Sequence, residues 1–205
     1  VAGQTFSSDY DFPSGDGTRN GFVMKLDANG MFVSSNTYGG TLDDAFESIT
    51  SLSSGYLAVN GWTESIDGDI IGNHGPYLNS DMFFCKVNTN LDLISTLCVG
   101  STGSETGYSV IESDGAIFLG GCGQAAVNGD VTQIFGYPDI CVAKLDSLSS
   151  SVLWCTMYGG TKYEYGGILT KALSGNIFVA GSSMSTDGQV LSSTNTAFFE
   201  YDAWL

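Results

Sequence analysis

The sequence predicts an all-β chain built from repeated units of four short antiparallel strands. Three observations carry that expectation. Gly is abundant at 28 residues and Pro scarce at 3, a mix that suits many short strands joined by glycine turns. Three separate sequence markers return with one period of about 60 residues, in the range of repeat architectures. No stretch of useful length carries the periodicity of an amphipathic helix.

The first marker, Tyr38-Gly39-Gly40-Thr41, returns as Tyr158-Gly159-Gly160-Thr161, with a degraded copy, Val99-Gly100-Ser101-Thr102, between them. The second, Lys25-Leu26-Asp27, recurs as Lys86-Val87-Asn88 and Lys144-Leu145-Asp146, with a weak fourth copy at Glu200-Tyr201-Asp202. The third is an apolar strand ending in glycine: Val1-Ala2-Gly3, Val59-Asn60-Gly61, Leu119-Gly120-Gly121 and Val179-Ala180-Gly181. Markers that keep step in this way divide a single domain, 1–205, into repeats at 1–40, 41–100, 101–160 and 161–205, the first and last partial.

In the second repeat the predicted strands cover 45–52, 56–63, 81–88 and 93–99. The first two are joined by Ser53-Ser54-Gly55, matched by Asp114-Gly115 and Ser174-Gly175-Asn176. The last two are joined by a similarly short turn, Asp27-Ala28-Asn29-Gly30 in the first repeat. Such turns favour antiparallel hairpins because Gly and Asn accept positive φ at little cost. The connection from second to third strand is long and rich in Gly, Asn and Asp. A four-stranded meander at this period is what a β-propeller blade requires. The pattern also resembles the tandem β-propeller repeats of bacterial secreted and surface proteins. Those combine a Tyr-Gly-Gly-Ser/Thr motif, a Val-Ala-Gly strand end, an Asp-Gly-Asp loop and a Lys-Leu-Asp strand end. The matching residues are 38–41, 179–181, Asp67-Gly68-Asp69 and 144–146. The resemblance implies an architecture and assigns no catalytic residue. Gly100-Ser101 and Glu200 depart from it.

The strand ledger comes out as three, four, four and three. The chain begins on Val and enters at a second-type strand, so it reads as a processed chain or an excerpt. Two readings compete: an excerpt of a longer propeller, or a subunit whose incomplete blades are completed by strands of a neighbour. On the second, the apolar strand at 197–202, with Phe198, Phe199 and Trp204 nearby, presents an unpaired edge that should be covered.

Charge narrows the partners. Only 14% of residues are charged, with 22 Asp plus Glu against 6 Lys plus Arg and a net charge of −16. Such a chain repels polyphosphate, so neither nucleic acid nor an anionic membrane surface is an expected partner. No apolar run is long enough to predict a membrane span. Meander geometry gathers most of the acids, including Asp16, Asp43, Asp81 and Asp139, on one face. Asp67-Gly68-Asp69, Asn128-Gly129-Asp130 and Asp187-Gly188-Gln189 stand at equivalent positions. Asp67, Asp69, Asn128, Asp130 and Asp187 are therefore the candidate ligands for Ca²⁺, since hard oxygen donors on a loop suit that ion. Solubility, and the commonness of Asp-Gly and Asn-Gly in turns, form the competing reading.

Little else points to chemistry. The single histidine, His74, sits in a long loop and cannot by itself build a multi-histidine metal site. Asp43, Asp44, Glu47, Glu105 and Glu164 are the acids from which a paired-carboxylate glycosidase would have to be drawn. No catalytic residue is assigned, no enzyme is expected, and no cofactor beyond Ca²⁺ is implied. Lys25, Lys86 and Lys144 read as structural, each stem packed on a sheet and each amine reaching an acid or a turn carbonyl. Trp62 and Tyr77 are candidates for stacking on sugar. Among five cysteines, Cys141 and Cys155 are expected to lie nearly opposite each other and could form a disulfide; Cys85 and Cys98 are expected out of step, and buried thiols are the alternative for all five. The functional expectation is an extracellular or cell-surface structural or adhesive repeat module, partnered by identical subunits or adjacent repeats. A carbohydrate-binding propeller is the alternative, with polysaccharide as partner.

Overall fold

A computed structural model describes residues 1–12, 18–76, 78–148, 150–190 and 202–204. The described residues contain fourteen strands and no helix. The first sheet holds β1 (Ala2–Thr5), β2 (Asn20–Leu26) and β3 (Phe32–Tyr38). The second holds β4 (Asp44–Ser51), β5 (Leu57–Thr63), β6 (Asp81–Val87) and β7 (Leu93–Val99). The third is β8 (Ser104–Ser113), β9 (Ala116–Gln124), β10 (Asp139–Asp146) and β11 (Val152–Tyr158). The fourth has β12 (Glu164–Lys171), β13 (Ile177–Ser183) and β14 (Asp202–Trp204). Each sheet is an antiparallel meander in chain order, and the three-four-four-three ledger holds. The expected strand at 197–202 falls, apart from Asp202, outside the described residues.

Irregularities repeat with the same period as the motifs. The first strands of the last three sheets are bulged at matching places, between Phe46 and Ser48, Gly107 and Ser109, and Gly166 and Ile168. A second bulge follows Lys25, Lys86 and Lys144, which face Ser34, Ser95 and Trp154 across the ladder. Bulges bend a strand and raise its local twist, and the second and third sheets carry both.

The sheets stand side by side in chain order. β1 packs on β4, β4 and β5 pack on β8, and β8 and β9 pack on β12. Among the described residues no substantial contact links the first sheet to the fourth. One apolar core, with Phe84, Met82, Ile117, Leu119 and Leu145, lies between the second and third sheets. Another, with Tyr38, Phe46, Phe83 and Val59, lies between the first and second, where Phe46 and Phe83 stack at 5.3 Å. A third, smaller cluster around Ile140, Val142 and Leu169 joins the third to the fourth.

Polar contacts cross the same boundaries in register. Ser48 Oγ accepts from the Val110 amide at 3.2 Å, and Ser109 Oγ accepts from the Leu169 amide at 3.1 Å. Lys25 Nζ donates to the Thr89 carbonyl at 3.1 Å, and Lys86 Nζ to the Ser147 carbonyl at 2.7 Å. Each of these amines reaches a turn of the following sheet, the structural role expected of the recurrent lysines. Lys86 and Lys144 also lie over the rings of Tyr56 and Phe118. Replacing Ser109 with Ala would strand the Leu169 amide between two sheets. Chemical denaturation should show a loss of about 1–3 kcal/mol, the range for a buried donor left unpaired. An unchanged midpoint would mean that the serine contact contributes nothing to the joint.

Candidate functional site

The recurrent motifs meet at one end of each sheet boundary, in a joint built three times over. At the first boundary the Asp69 amide donates to the Gly39 carbonyl at 2.9 Å, which draws the 67–69 loop across the Tyr-Gly-Gly-Thr loop. Asp130 repeats this contact on Gly100 at 2.9 Å, and Gln189 repeats it on Gly159 at 3.0 Å. Gly68, Gly129 and Gly188 make these loops possible, with φ of +66°, +57° and +64° in the left-handed region.

Side chains complete the clip. Asp67 Oδ1 accepts from the Thr41 amide at 2.8 Å and its Oδ2 from the Thr41 hydroxyl at 2.9 Å. Asp187 does the same for Thr161, at 2.8 and 2.7 Å. Asn128 accepts from the Thr102 amide at 2.9 Å and donates to its hydroxyl at 2.9 Å. Asp69, Asp130 and Gln189 accept from the amides of Gly39, Gly100 and Gly159, at 3.2, 3.2 and 3.0 Å. All five residues expected to hold Ca²⁺ therefore have protein partners. Asn128 and Gln189 do with a neutral amide what the acids do elsewhere, so what recurs is acceptance from a backbone N–H. Among the described residues no three His, Cys, Asp or Glu side chains gather in a metal-binding group.

Beneath each clip lies a second layer, which was read in the sequence as part of an acidic face. Asp44, Glu105 and Glu164, at the starts of β4, β8 and β12, are fully buried. Gly40, Ser101 and Gly160 donate their amides to these carboxyls at 2.7, 2.8 and 3.0 Å. Hydroxyls add to them: Thr63 and Ser65 on Asp44, Ser101 on Glu105, and Ser183 on Glu164. Across each boundary the neighbouring sheet supplies the first residue of its third-type strand: Asn20, Asp81 or Asp139, all buried. The acids once grouped as hydrolase candidates thus separate. Asp43 lies 3.6 Å from Arg19 and Glu47 is exposed, while the other three are internal.

A glycine seals each pair. A methyl on Gly159 would lie 2.6 Å from Asp139 Oδ1 and nearer still to Glu164 Oε2. One on Gly100 would lie 2.8 Å from Asp81 Oδ1 and nearer still to Glu105 Oε2. At Gly39 the same space is filled by Asn20 and Asp44. Burial pushes the Asp44, Asp81 and Asp139 carboxyls above their ordinary range, and Glu105 up to about 7.

His74 belongs to the middle joint. Its amide donates to Asp81 Oδ2 at 3.0 Å, its Nδ1 lies 2.7 Å from the same oxygen, and its Nε2 is 3.8 Å from Asp130 Oδ2. In the next joint Asp139 is held instead by the Phe135 and Gly136 amides. Trp62 sits under the Arg19 guanidinium, 5.6 Å from its ring centre, and Tyr77 lies outside the described residues. The cysteine register corrects the expectation. Cys141 faces Met157 while Cys155 faces Ala143, a diagonal; Cys85, facing Thr96, is staggered from Cys98 by the same amount. Both hairpins carry the bulge after the lysine, at Leu153 and at Ile94, so both cysteine pairs are staggered alike. Cys141 and Cys155 are thiols in the structure, buried, with sulfurs 3.4 Å apart.

A scan against known protein families finds no match to the chain, and a search of curated proteins finds none.

Replacing Gly159 with Ala should cost more than about 2 kcal/mol, because a new methyl must displace a buried carboxyl pair. The same change at Gly55, where φ is +85° but no atom lies within 4 Å, should cost about 1 kcal/mol. Equal losses in urea melts would remove the pair as the reason for the glycine. The clip has its own test. Asp67→Asn should leave stability within about 0.5 kcal/mol, whereas Asp67→Ala should lose about 1–2 kcal/mol. A stability loss in Asp67→Asn that disappears when Ca²⁺ is removed from both proteins would favour the cation reading.

Proposed function

We propose that the chain is a non-enzymatic repeat module, its four sheets acting as blades of β-propeller type, within an extracellular or cell-surface protein. Its work is structural or adhesive, and its partners are adjacent repeats or identical subunits. The observation that carries this reading is the joint itself. The repeats devote their recurrent polar residues to joining one sheet to the next, and among the described residues no substantial contact links the first sheet to the fourth. Such a row offers two end sheets to a neighbour, and among the described residues β1 is paired on one side only, by β2. A strand edge of that kind favours pairing with a further chain. The net charge of −16 keeps such surfaces dispersed until they dock.

Carbohydrate binding is the second reading. It is favoured by a shallow depression between the third and fourth sheets, where Tyr108 and Tyr165 stand beside Gln124, Ser104 and Thr106. The head-to-tail contact expected of a module need not close, and it would then build a filament. Sedimentation velocity over a wide concentration range should show a mass that grows with concentration. Charging the edge strand with Gln4→Lys should suppress that growth. A monomer at every concentration that binds a glycan array, and loses that binding in Tyr165→Ala, would overturn the module in favour of the lectin.

A further inference from the structure

We propose that the two sheet joints built on carboxyl pairs, Asp81 with Glu105 and Asp139 with Glu164, each retain a shared proton, making them pH-sensitive latches between neighbouring sheets.

The crowding of buried acids is the reason. An ionised carboxylate accepts hydrogen bonds and donates none. Glu164 Oε2 and Asp139 Oδ1, both on buried side chains, crowd the one place that a methyl on Gly159 would take, and a proton held between them relieves their repulsion. At the other joint Asp81 Oδ1 is fully buried and no donor reaches it. The group beside it under Gly100 is Glu105 Oε2, which can satisfy it only if the pair holds a proton. Two bare carboxylates this close in a dry site would repel each other strongly, the reason paired acids share a proton elsewhere in protein chemistry.

The donors that face the third joint are neutral. Asp139 and Glu164 are faced by the Phe135, Gly136 and Gly160 amides and the Ser183 hydroxyl. Lys162, on the flanking loop, acts on Asp187. Asp81 and Glu105 are faced by the amide and hydroxyl of Ser101 and by the His74 ring, which also leans on Asp130. The His74 ring is the one titratable base at that joint. It can blunt the response there, which makes the Asp139–Glu164 joint the cleaner reporter. The first boundary supplies a built-in comparison, since Asn20 stands where the other joints have Asp81 and Asp139. An amide in that place cannot ionise, so that joint has one acid to deprotonate rather than two.

The direction follows from where the proton sits. The folded joint keeps a proton that the unfolded chain would release in the ordinary carboxyl range, and Glu105 keeps its own up to about 7. The folded state therefore binds more protons than the unfolded state between those limits, and stability falls as pH rises through them. Its contribution is fully present only below the ordinary carboxyl range and is lost as pH rises through about 7.

Thermal melts from pH 5 to pH 8.5 at constant ionic strength test this. The wild-type midpoint should fall by roughly 5–10 °C across that range. The variant Asp81→Asn/Asp139→Asn, which copies the Asn20 joint, should lose half of that slope or more, whereas Glu47→Gln, on an exposed acid, should keep it. A double variant with the wild-type slope, or a wild type whose midpoint is flat or rises, would overturn the proposal. Should the double variant not fold, infrared spectra of the wild type and of Glu164→Gln decide. A protonated-carboxyl band at pH 7 that weakens in the variant supports the latch, and its absence from the wild type refutes it.

Discussion

A buried carboxyl beneath a side-chain-free glycine is the constraint on which the rest of each repeat depends. Asp44, Glu105 and Glu164 take the loop amides of Gly40, Ser101 and Gly160, donors that would otherwise be stranded where one sheet hands over to the next. A buried N–H without a partner is costly, and an unpaired buried charge costs more. Each repeat answers both needs with one contact. The loop can come close enough only because the residue above the acid has no Cβ. The Tyr-Gly-Gly-Thr motif is therefore a steric requirement of the joint, and the Asp-Gly-Asp loop is the clip that holds it down.

Around that contact the repeats differ in ways that the same physics tolerates. Asn128 replaces Asp67 and Gln189 replaces Asp69 without loss of the hydrogen bonds they make. Asn20 replaces Asp81 at the joint where no second acid is present. Asp81 is supported by a histidine ring and a backbone amide, Asp139 by two backbone amides. What varies is the chemical identity of the partner. The direction of donation and the space available to it stay the same.

Much of this was legible in the sequence. The period, the strand ledger and the hairpin turns followed from three markers and the placement of Gly and Asn. In the second repeat the predicted strands differ from the observed ones by at most a residue or so at their ends. The structural role of the lysines was also readable, because a long apolar stem in a strand with a cation at its tip has few other uses. The layer of buried acids was not recognised, although its signal was present: Asp44, Glu105 and Glu164 recur at the repeat period, as do Asn20, Asp81 and Asp139. An acid beside a glycine-rich loop looks solvated in one dimension, and only the neighbouring sheet, some twenty residues away along the chain, encloses it. The stagger of Cys85 and Cys98 was expected, and the repeat gives Cys141 and Cys155 the same stagger, because both hairpins carry the same bulge after the lysine.

These joints are closed, internal structure rather than open loops on an acidic face. Amide hydrogen exchange measures that directly at three residues, because the Gly40, Ser101 and Gly160 amides point into the buried carboxyls. The account predicts that these loop amides exchange as slowly as those in the middle of β6 and β10, opening only when neighbouring sheets separate. Exchange at the rate of the exposed turn amides near Gly55 and Gly115 would contradict it.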